Sequence, residues 1–178
     1  MNFRFPWGVL VLYFEIPDQY LPMMRKKYGY EKEGDETIDP DILSPHDKAI
    51  HSFIMGDEEF RNSRLKLIPR VVEGNIVVRK LIGKPVLIGK KLPVSYVYEP
   101  EDAETGKREY LEVDLDIGNS SNKAKKIVGV LQKYIRSLTV DIGFVIEGAS
   151  GEHLPERMLA CSRIHHVDPT KSSTITYI

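Results

Sequence analysis

The sequence predicts an α+β fold, in which a curved, mostly antiparallel sheet of about six strands packs against one long helix in the C-terminal half and a shorter helix in the N-terminal half. Residues 110–117 alternate between apolar and polar side chains, as a half-buried strand does. Residues 124–142 repeat apolar side chains every three or four positions, as an amphipathic helix does. Residues 64–98 hold successive short strand-like runs, which favours antiparallel pairing.

The 178 residues suffice for one domain with a sizeable core. We expect this domain to span residues 1–168, with residues 169–178 as a frayed tail. Residues 7–16 are apolar on both faces, which predicts a strand at the centre of the sheet. Residues 17–43 lose this pattern and become acidic and turn-rich, so we interpret them as a surface insertion with a short helix near residues 20–30.

The shorter helix should begin after Ser44, because serine is a good N-cap and Pro45 is tolerated at the first helical position. Its core-facing residues repeat at helical spacing and are Ile50, Phe53 and Ile54. Strands are then predicted, with glycine and proline between them, over residues 65–68, 76–82, 86–88 and 94–98. A last strand is predicted near residues 160–166.

The strand over residues 110–117 should bury its apolar face and expose an acidic face formed by Glu112, Asp114 and Asp116. Such a row of carboxylates could bind a cation, but we favour pairing with Lys or Arg on a neighbouring strand. The long helix should follow the turn at residues 118–121 and continue to residue 146, with Gly148 as its stop signal.

The composition excludes several classes of protein. No apolar run approaches the ~18–20 residues that cross a bilayer, and the single cysteine, Cys161, cannot form an internal disulfide, so we expect a cytoplasmic protein. The formal net charge of −1 argues against a nucleic-acid-binding domain. Motifs for phosphate binding, nucleophilic catalysis and metal chelation are absent from the sequence, which predicts no enzyme, no cofactor and no metal. His165 and His166 should point to opposite faces of the last strand, where they could not chelate one ion together.

The charges are nevertheless segregated along the chain. Residues 61–95 carry a net charge of +8, residues 99–118 carry −6, and residues 119–136 hold five bases and no acid. A candidate second basic patch lies in the first segment and consists of Arg61, Arg64 and Lys66. The alternative is that these arginines cap carbonyl groups at the turn from helix to strand.

The first candidate site lies at the start of the long helix and comprises Ser120, Ser121, Lys123, Lys125 and Lys126. The helix dipole makes each cation there unfavourable by ~0.3–1 kcal/mol, which suggests that the lysines are placed for an anionic ligand. The hydroxyl groups and the free N–H groups of the first turn are also suited to a phosphate or a lipid headgroup. A solvated basic face, screened by the preceding acidic segment, remains the alternative.

Four segments resemble a known family. They are residues 56–69 (GDEEFRNSRLKLIP), 83–90 (GKPVLIGK), 110–118 (YLEVDLDIG) and 154–159 (LPERML). In this order they are similar to motifs in the C-terminal domain of the plant protein Enhanced Disease Resistance 2, long catalogued as a domain of unknown function. In the plant proteins this domain follows a pleckstrin-homology module and a START lipid-binding module. The resemblance implies a non-catalytic, lipid- or membrane-linked role in a regulator of the defence or trafficking type.

We therefore expect a lipid- or membrane-associated binding module that recognises an anionic phospholipid, binds membranes peripherally and is open to protein partners. The alternative is a protein-interaction or scaffold domain with a filled core and no lipid ligand. An apolar cavity beneath the long helix would favour the first interpretation. A filled core beside a flat basic surface would favour the second.

Overall fold

Two four-stranded sheets and five helices make up the computed structural model, which describes residues 1–36 and 38–173 but not the side chain of Lys123. The strands are β1 (Asn2–Phe5), β2 (Gly8–Val11), β3 (Leu65–Glu73), β4 (Val86–Leu87), β5 (Val94–Glu99), β6 (Tyr110–Asp116), β7 (Thr139–Ile146) and β8 (Met158–His165). The helices are α1 (Leu21–Tyr28), α2 (Pro45–Met55), α3 (Glu58–Asn62), α4 (Ile76–Ile82) and α5 (Asn122–Tyr134). Among these described helices, none combines the length and the apolar character that crossing a bilayer requires.

The first sheet has the strand order β2-β1-β6-β5 and is mixed, because β1 pairs with β6 in parallel while the other pairs are antiparallel. The second sheet has the order β4-β3-β7-β8 and is antiparallel throughout. The α+β class is confirmed, whereas the single sheet of about six strands is wrong. The second sheet exists because β7, which lies in the segment expected to be helical, pairs with β3 on one side and β8 on the other.

The main core lies between the two sheets and under helices α1 and α2. Phe3 of the first sheet and Phe144 of the second meet with their ring centroids 6.3 Å apart. The segment 17–43, expected as a surface insertion, contributes three buried core side chains, which are Tyr20, Met23 and Met24. Of the expected tail, Pro169–Lys171 form a 3-10 turn, and residues 174–178 lie outside the described residues.

The N-terminal strand differs from the expectation of a central strand over residues 7–16. β1 and β2 form a hairpin instead, and β2 lies at the outer edge of its sheet with Val9 and Val11 exposed. After Val11 the chain leaves the sheet, and the strand prediction fails there because an apolar run does not reveal where its hydrogen-bonding partners end. Leu12, Phe14 and Ile16 nevertheless pack against the core cluster from outside a strand.

The long helix is shorter than expected, since α5 ends at Tyr134 rather than near residue 146. A 3-10 turn over Ile135–Ser137 follows, and the hydroxyl group of Ser137 donates to the Tyr134 carbonyl oxygen. The remaining residues form β7, in which Phe144, Val145 and Ile146 are all buried. β-branched residues in this segment fit a buried strand as well as a helix face, so spacing alone misassigned it.

Two elements agree closely with the sequence. The side chain of Ser44 accepts a hydrogen bond from the Asp47 N–H at the start of α2, as the N-cap prediction requires. On the acidic face of β6, Arg4 of the neighbouring strand β1 pairs with Asp114 at 2.5 Å and with Glu112 at 3.5 Å. Pairing of this face with a base on the adjacent strand is therefore confirmed.

Candidate functional site

Helix α4 presents an exposed apolar surface. Gly74, two residues before the helix, has a φ of +144°. The Asn75 side chain then caps the helix by accepting from the Val77 N–H at 2.8 Å. Val78 is fully buried and anchors the helix to the domain. Its other large apolar side chains face outward, since Ile76 is 67% exposed, Val77 50% and Leu81 42%. Exposed aliphatic side chains clustered on one short helix are typical of an interaction site.

Basic residues surround these apolar side chains. Arg79 and Lys80 are exposed on α4 itself, and Lys84 is exposed just after it. The Arg79 guanidinium donates to the Val72 carbonyl oxygen at 2.9 Å, which holds the Arg79 side chain against the end of β3. Among the described residues, none of these three bases forms an ion pair with a carboxylate. Their charges therefore remain available at the surface.

The start of α5 adds the lysines predicted from the sequence, because α4 packs directly against α5. Lys125 and Lys126 are exposed, and within the described part of the chain neither has an ion-pair partner. The side chain of Lys123 lies outside the described residues. Two of the predicted lysines therefore lie exposed on a helix that packs against α4. We call the exposed residues of these two helices the α4–α5 surface; they comprise Ile76, Val77, Arg79, Lys80, Leu81, Lys84, Lys125 and Lys126.

The two serines of the predicted site serve the local fold. Ser120 is buried, and its hydroxyl group donates to the Ile117 carbonyl oxygen at 2.6 Å. Ser121 is the N-cap of α5 and accepts from the Ala124 N–H at 3.3 Å. Just before them, Asp116 accepts from the Asn119 side chain and backbone, and these hydrogen bonds lower the pKa of the Asp116 carboxyl group. Both serine hydroxyl groups are thus engaged by the backbone, whereas Lys125 and Lys126 are exposed and have no ion-pair partner among the described residues.

Arg61, from the predicted second patch, is a structural residue. It is only 3% exposed, and its guanidinium donates to the Phe53 and Ile54 carbonyl oxygens at 3.0 and 2.5 Å. A third hydrogen bond runs to the Tyr28 hydroxyl group at 2.8 Å. The carbonyl groups lie in the last turns of α2, so these contacts correspond to the capping alternative.

Arg64 and Lys66 also have partners inside the domain. Arg64 donates to the Gly148 carbonyl oxygen at 3.2 Å and lies over the Phe60 ring. The Lys66 ammonium group lies 2.9 Å from Glu147 and 2.8 Å from Glu156. Although burial opposes the charged form, hydrogen bonds to these carboxylates raise the pKa of Lys66 above its usual value. The three residues of the predicted second patch consequently do not form an exposed basic surface together.

A separate, partly open apolar pocket of about 250 Å³ reaches into the domain. Both sheets and helices α1 and α2 line it, with Met24, Ile50, Phe53, Leu65, Leu111, Val113, Phe144 and Ile146 among its walls. Glu15 and His46 are polar groups in the same lining. The cavity lies beneath α2 and not beneath the predicted long helix. It adjoins the first half of β6, whereas α5 follows the end of that strand, so the cavity and the lysines lie towards opposite ends of β6.

The strand predicted over residues 76–82 is wrong, since these residues form α4, and for that reason the sequence does not reveal the exposed apolar residues of this helix. β-branched residues favour strands only modestly, and a good N-cap can outweigh that preference. The Gly74–Asn75 pair ahead of the run was the local signal for a helix start. A side chain at Gly74 would approach Leu138 to 2.3 Å, which explains why glycine fits there.

Comparison with known proteins agrees with the four motifs. The family model described as "Protein ENHANCED DISEASE RESISTANCE 2, C-terminal" matches residues 1–168. A relative from Arabidopsis thaliana, described as an Enhanced Disease Resistance 2-like protein, is 42% identical over 117 residues. The matched region covers 65% of this chain but only 15% of that relative's length. No solved structure is significantly similar. The chain belongs to the family of Enhanced Disease Resistance 2 C-terminal domains.

Proposed function

We propose that this domain is a non-catalytic binding module that attaches peripherally to membranes containing anionic lipid, through the α4–α5 surface. The observation that carries the proposal is the exposure of Ile76, Val77 and Leu81 beside bases that have no carboxylate partner in the described structure. An exposed apolar patch on a water-facing protein is unfavourable unless something covers it. Anionic lipid offers apolar chains and negative headgroups together.

The two kinds of side chain would act differently on a bilayer. Aliphatic residues on α4 would enter the headgroup–acyl boundary, where amphipathic interfacial helices bury their apolar face. Each lysine or arginine near an anionic leaflet contributes about 1 kcal/mol, and this attraction decreases within a Debye length. Because α4 has only seven residues, the insertion would be shallow and would depend on the neighbouring charges.

The partly open apolar pocket supports a second candidate function, which is the holding of part of an acyl chain. Its lining is dominated by aliphatic and aromatic side chains, and such cavities accept apolar ligands. A volume of about 250 Å³ is slightly below that of common ligand pockets, so it would suit part of a chain rather than a whole lipid. Lipid extraction and mass spectrometry of the purified protein would test this candidate separately from vesicle binding.

Vesicle co-sedimentation tests the main proposal, with phosphatidylcholine alone and with increasing fractions of phosphatidylserine or a phosphoinositide. We expect binding that rises with the anionic fraction and weakens between ~0.1 M and ~1 M salt, as the Debye length falls from about 10 to about 3 Å. The double variant Lys125→Glu/Lys126→Glu should lose at least ~10-fold in affinity at the lower salt, because reversal replaces attraction by repulsion.

A matched control is Lys107→Glu, which reverses an exposed charge in the loop between β5 and β6. Its vesicle affinity should equal that of the wild type. The lysine variants should also remain folded, since acidic residues near a helix N-terminus are favourable. Absence of wild-type binding to every vesicle would contradict the proposal and point to the scaffold alternative. Equal losses of vesicle affinity in the control and the double variant would contradict the assignment of membrane binding to the α4–α5 surface.

A further inference from the structure

Three neighbouring strands place polar side chains in one row at an end of the second sheet. Glu73, near the end of β3, pairs with Thr139 at the start of β7, and Thr139 pairs with His165 at the end of β8. The next residue, His166, lies just outside β8. This row takes no part in the proposed membrane attachment.

The backbone turns His166 back towards His165. Its φ is +46°, a left-handed conformation that few non-glycine residues adopt, and its N–H donates to the Leu138 carbonyl oxygen at 2.9 Å. The two imidazole rings stack with centroids 3.8 Å apart and planes 19° apart. The expectation that they point to opposite faces is wrong, because strand alternation holds only while the backbone stays extended.

The Glu73 carboxylate lies beside both rings. Its Oε2 atom is 3.9 Å from Nδ1 of His165 and 3.7 Å from Nε2 of His166. Imidazole nitrogens and carboxylate oxygens bind zinc at about 2.0–2.2 Å, which in a tetrahedral site separates the ligand atoms by roughly 3.4 Å. The two separations from Glu73 exceed this value by a few tenths of an ångström. Because an imidazole nitrogen binds a metal in the plane of its ring, the two stacked rings would also rotate out of their parallel arrangement to reach one ion.

A threonine orients the carboxylate of this cluster. The Thr139 hydroxyl oxygen is 2.6 Å from Oε2 of Glu73, to which it donates, and 2.7 Å from Nδ1 of His165. Metal ligands commonly have such outer partners, which fix their orientation. When Nδ1 of His165 turns to a metal, the single proton of the neutral ring would sit on Nε2, and Thr139 would continue to donate to Glu73.

The surrounding charge permits a cation. The Glu73 carboxylate lies beside both rings and supplies the negative charge of this cluster. The nearby Arg163 guanidinium is held by Asp141 through contacts of 2.6 and 3.0 Å, which neutralise its charge. Glu73, His165 and His166 all remain solvent-exposed, so an ion could enter and water could complete its coordination.

We propose that Glu73, His165 and His166 form a surface site for a zinc-class divalent cation, with water in the remaining position and Thr139 as a positioning residue. Two imidazoles and one carboxylate favour Zn²⁺, Co²⁺ or Ni²⁺ over Mg²⁺ and Ca²⁺, which prefer ligand sets made of oxygen. The bound ion would link the end of β3 to the end of β8. This site and the membrane proposal are independent, and either can fail without the other.

Calorimetric titration of the untagged, chelator-treated chain with ZnCl₂ at neutral pH tests the site. We expect saturable binding of one ion per chain, together with a higher midpoint of thermal unfolding when Zn²⁺ is present. The variants His166→Gln and Glu73→Gln should each weaken binding at least ~10-fold. Because both side chains are exposed, these variants should fold, and circular dichroism would verify this.

Matched variants and a second metal make the test specific. His46→Gln removes a histidine elsewhere in the chain and should leave the affinity unchanged, while Thr139→Val should weaken binding without abolishing it. Co²⁺ should produce visible absorption bands in the wild type that His166→Gln loses. Zn²⁺ binding weaker than about 1 mM, or equal affinities of the wild type and His166→Gln, would overturn the proposal.

Discussion

Two basic regions of this chain look alike in the sequence but differ in the structure. Residues 61–66 place two arginines and a lysine close together, and the α4–α5 surface places bases on neighbouring helices. In the first region, the charged groups contact α2 carbonyl oxygens, Gly148 and the carboxylates of Glu147 and Glu156. In the second region, the bases are exposed beside apolar side chains.

The difference teaches that a run of basic residues does not by itself indicate a ligand site. Arg64 finds its partner Gly148 84 residues away, and Lys66 finds Glu156 90 residues away. Such partners are brought together only by the pairing of β3 with β7 and of β7 with β8. A base is available to a ligand only where it stays exposed and the fold brings no carboxylate to it.

The largest effect is expected in the first region, for Arg61→Ala. This change removes a buried side chain and leaves the Phe53 and Ile54 carbonyl oxygens without their donor. We expect the free energy of unfolding to fall by about 3–5 kcal/mol, because lost packing and unsatisfied polar groups act together. Urea denaturation followed by circular dichroism measures this loss, and the vesicle affinity of the folded variant should not change.

Arg136→Ala is the matched control, because Arg136 is an exposed arginine that pairs with Asp168 at the surface. It should stay within about 0.5 kcal/mol of the wild type. A similarly small loss for Arg61→Ala would mean that the buried guanidinium stabilises nothing, and the contrast between the two basic regions would disappear.

The next largest effect is a loss of vesicle affinity. It is expected for Ile76→Gln/Leu81→Gln, which replaces two of the apolar side chains of the α4–α5 surface. Fully burying one aliphatic side chain contributes about 1.5–3 kcal/mol, and these two side chains are already partly covered in the free protein. We expect a loss of about 10- to 100-fold in vesicle affinity at both salt concentrations, with little change in stability. The charge reversal at Lys125 and Lys126 should instead act mainly at low salt.

Ile42→Gln provides the apolar control, since Ile42 is 80% exposed on the turn Pro40–Ile42, outside the α4–α5 surface. Its affinity for vesicles should match that of the wild type. If the α4 variant loses affinity only at low salt, its side chains do not enter the bilayer, and binding is electrostatic alone.

The sequence predicts well wherever the signal is local. The Ser44 cap and the apolar spacing of Ile50, Phe53 and Ile54 define α2, and strict alternation defines β6. The bases at the start of α5 were also visible, because N-terminal helix signals lie within a few residues. These elements need no distant partner to be recognised.

The sequence fails where a distant partner decides the structure, and also where a short segment fits two local conformations. β7 is a strand because β3 and β8 flank it, although its apolar residues also continue the helical spacing of α5. The site residues of α4 were missed since an isolated β-branched run fits a strand or a short helix. The histidine pair was misjudged because one left-handed residue, His166, reverses the alternation.

The smallest effect is expected in the first basic region and is a change in how the free energy of unfolding depends on pH. Burial opposes ionisation of Glu156, but the Lys66 ammonium and the Gly148 N–H outweigh it and lower the pKa of Glu156 below 4.5. A carboxyl group whose pKa is lower in the folded state stabilises the fold above its unfolded pKa, and this contribution is lost as the pH falls through the folded pKa. Lys66→Met should therefore reduce the acid-dependent loss of stability below about pH 4.5 by up to about 1 kcal/mol.

Urea denaturation at a series of pH values measures this difference, with Lys91→Met as a control that removes an exposed lysine outside the Glu147–Glu156 pairing. The control should follow the wild-type pH dependence, because the Lys91 ammonium group forms no ion pair with a carboxylate among the described residues. Parallel curves for Lys66→Met and the wild type would show that the pKa of Glu156 does not depend on Lys66. Unchanged vesicle affinity in Lys66→Met, beside a flatter pH curve, would assign the charge of Lys66 to the fold and leave membrane attachment to the α4–α5 surface.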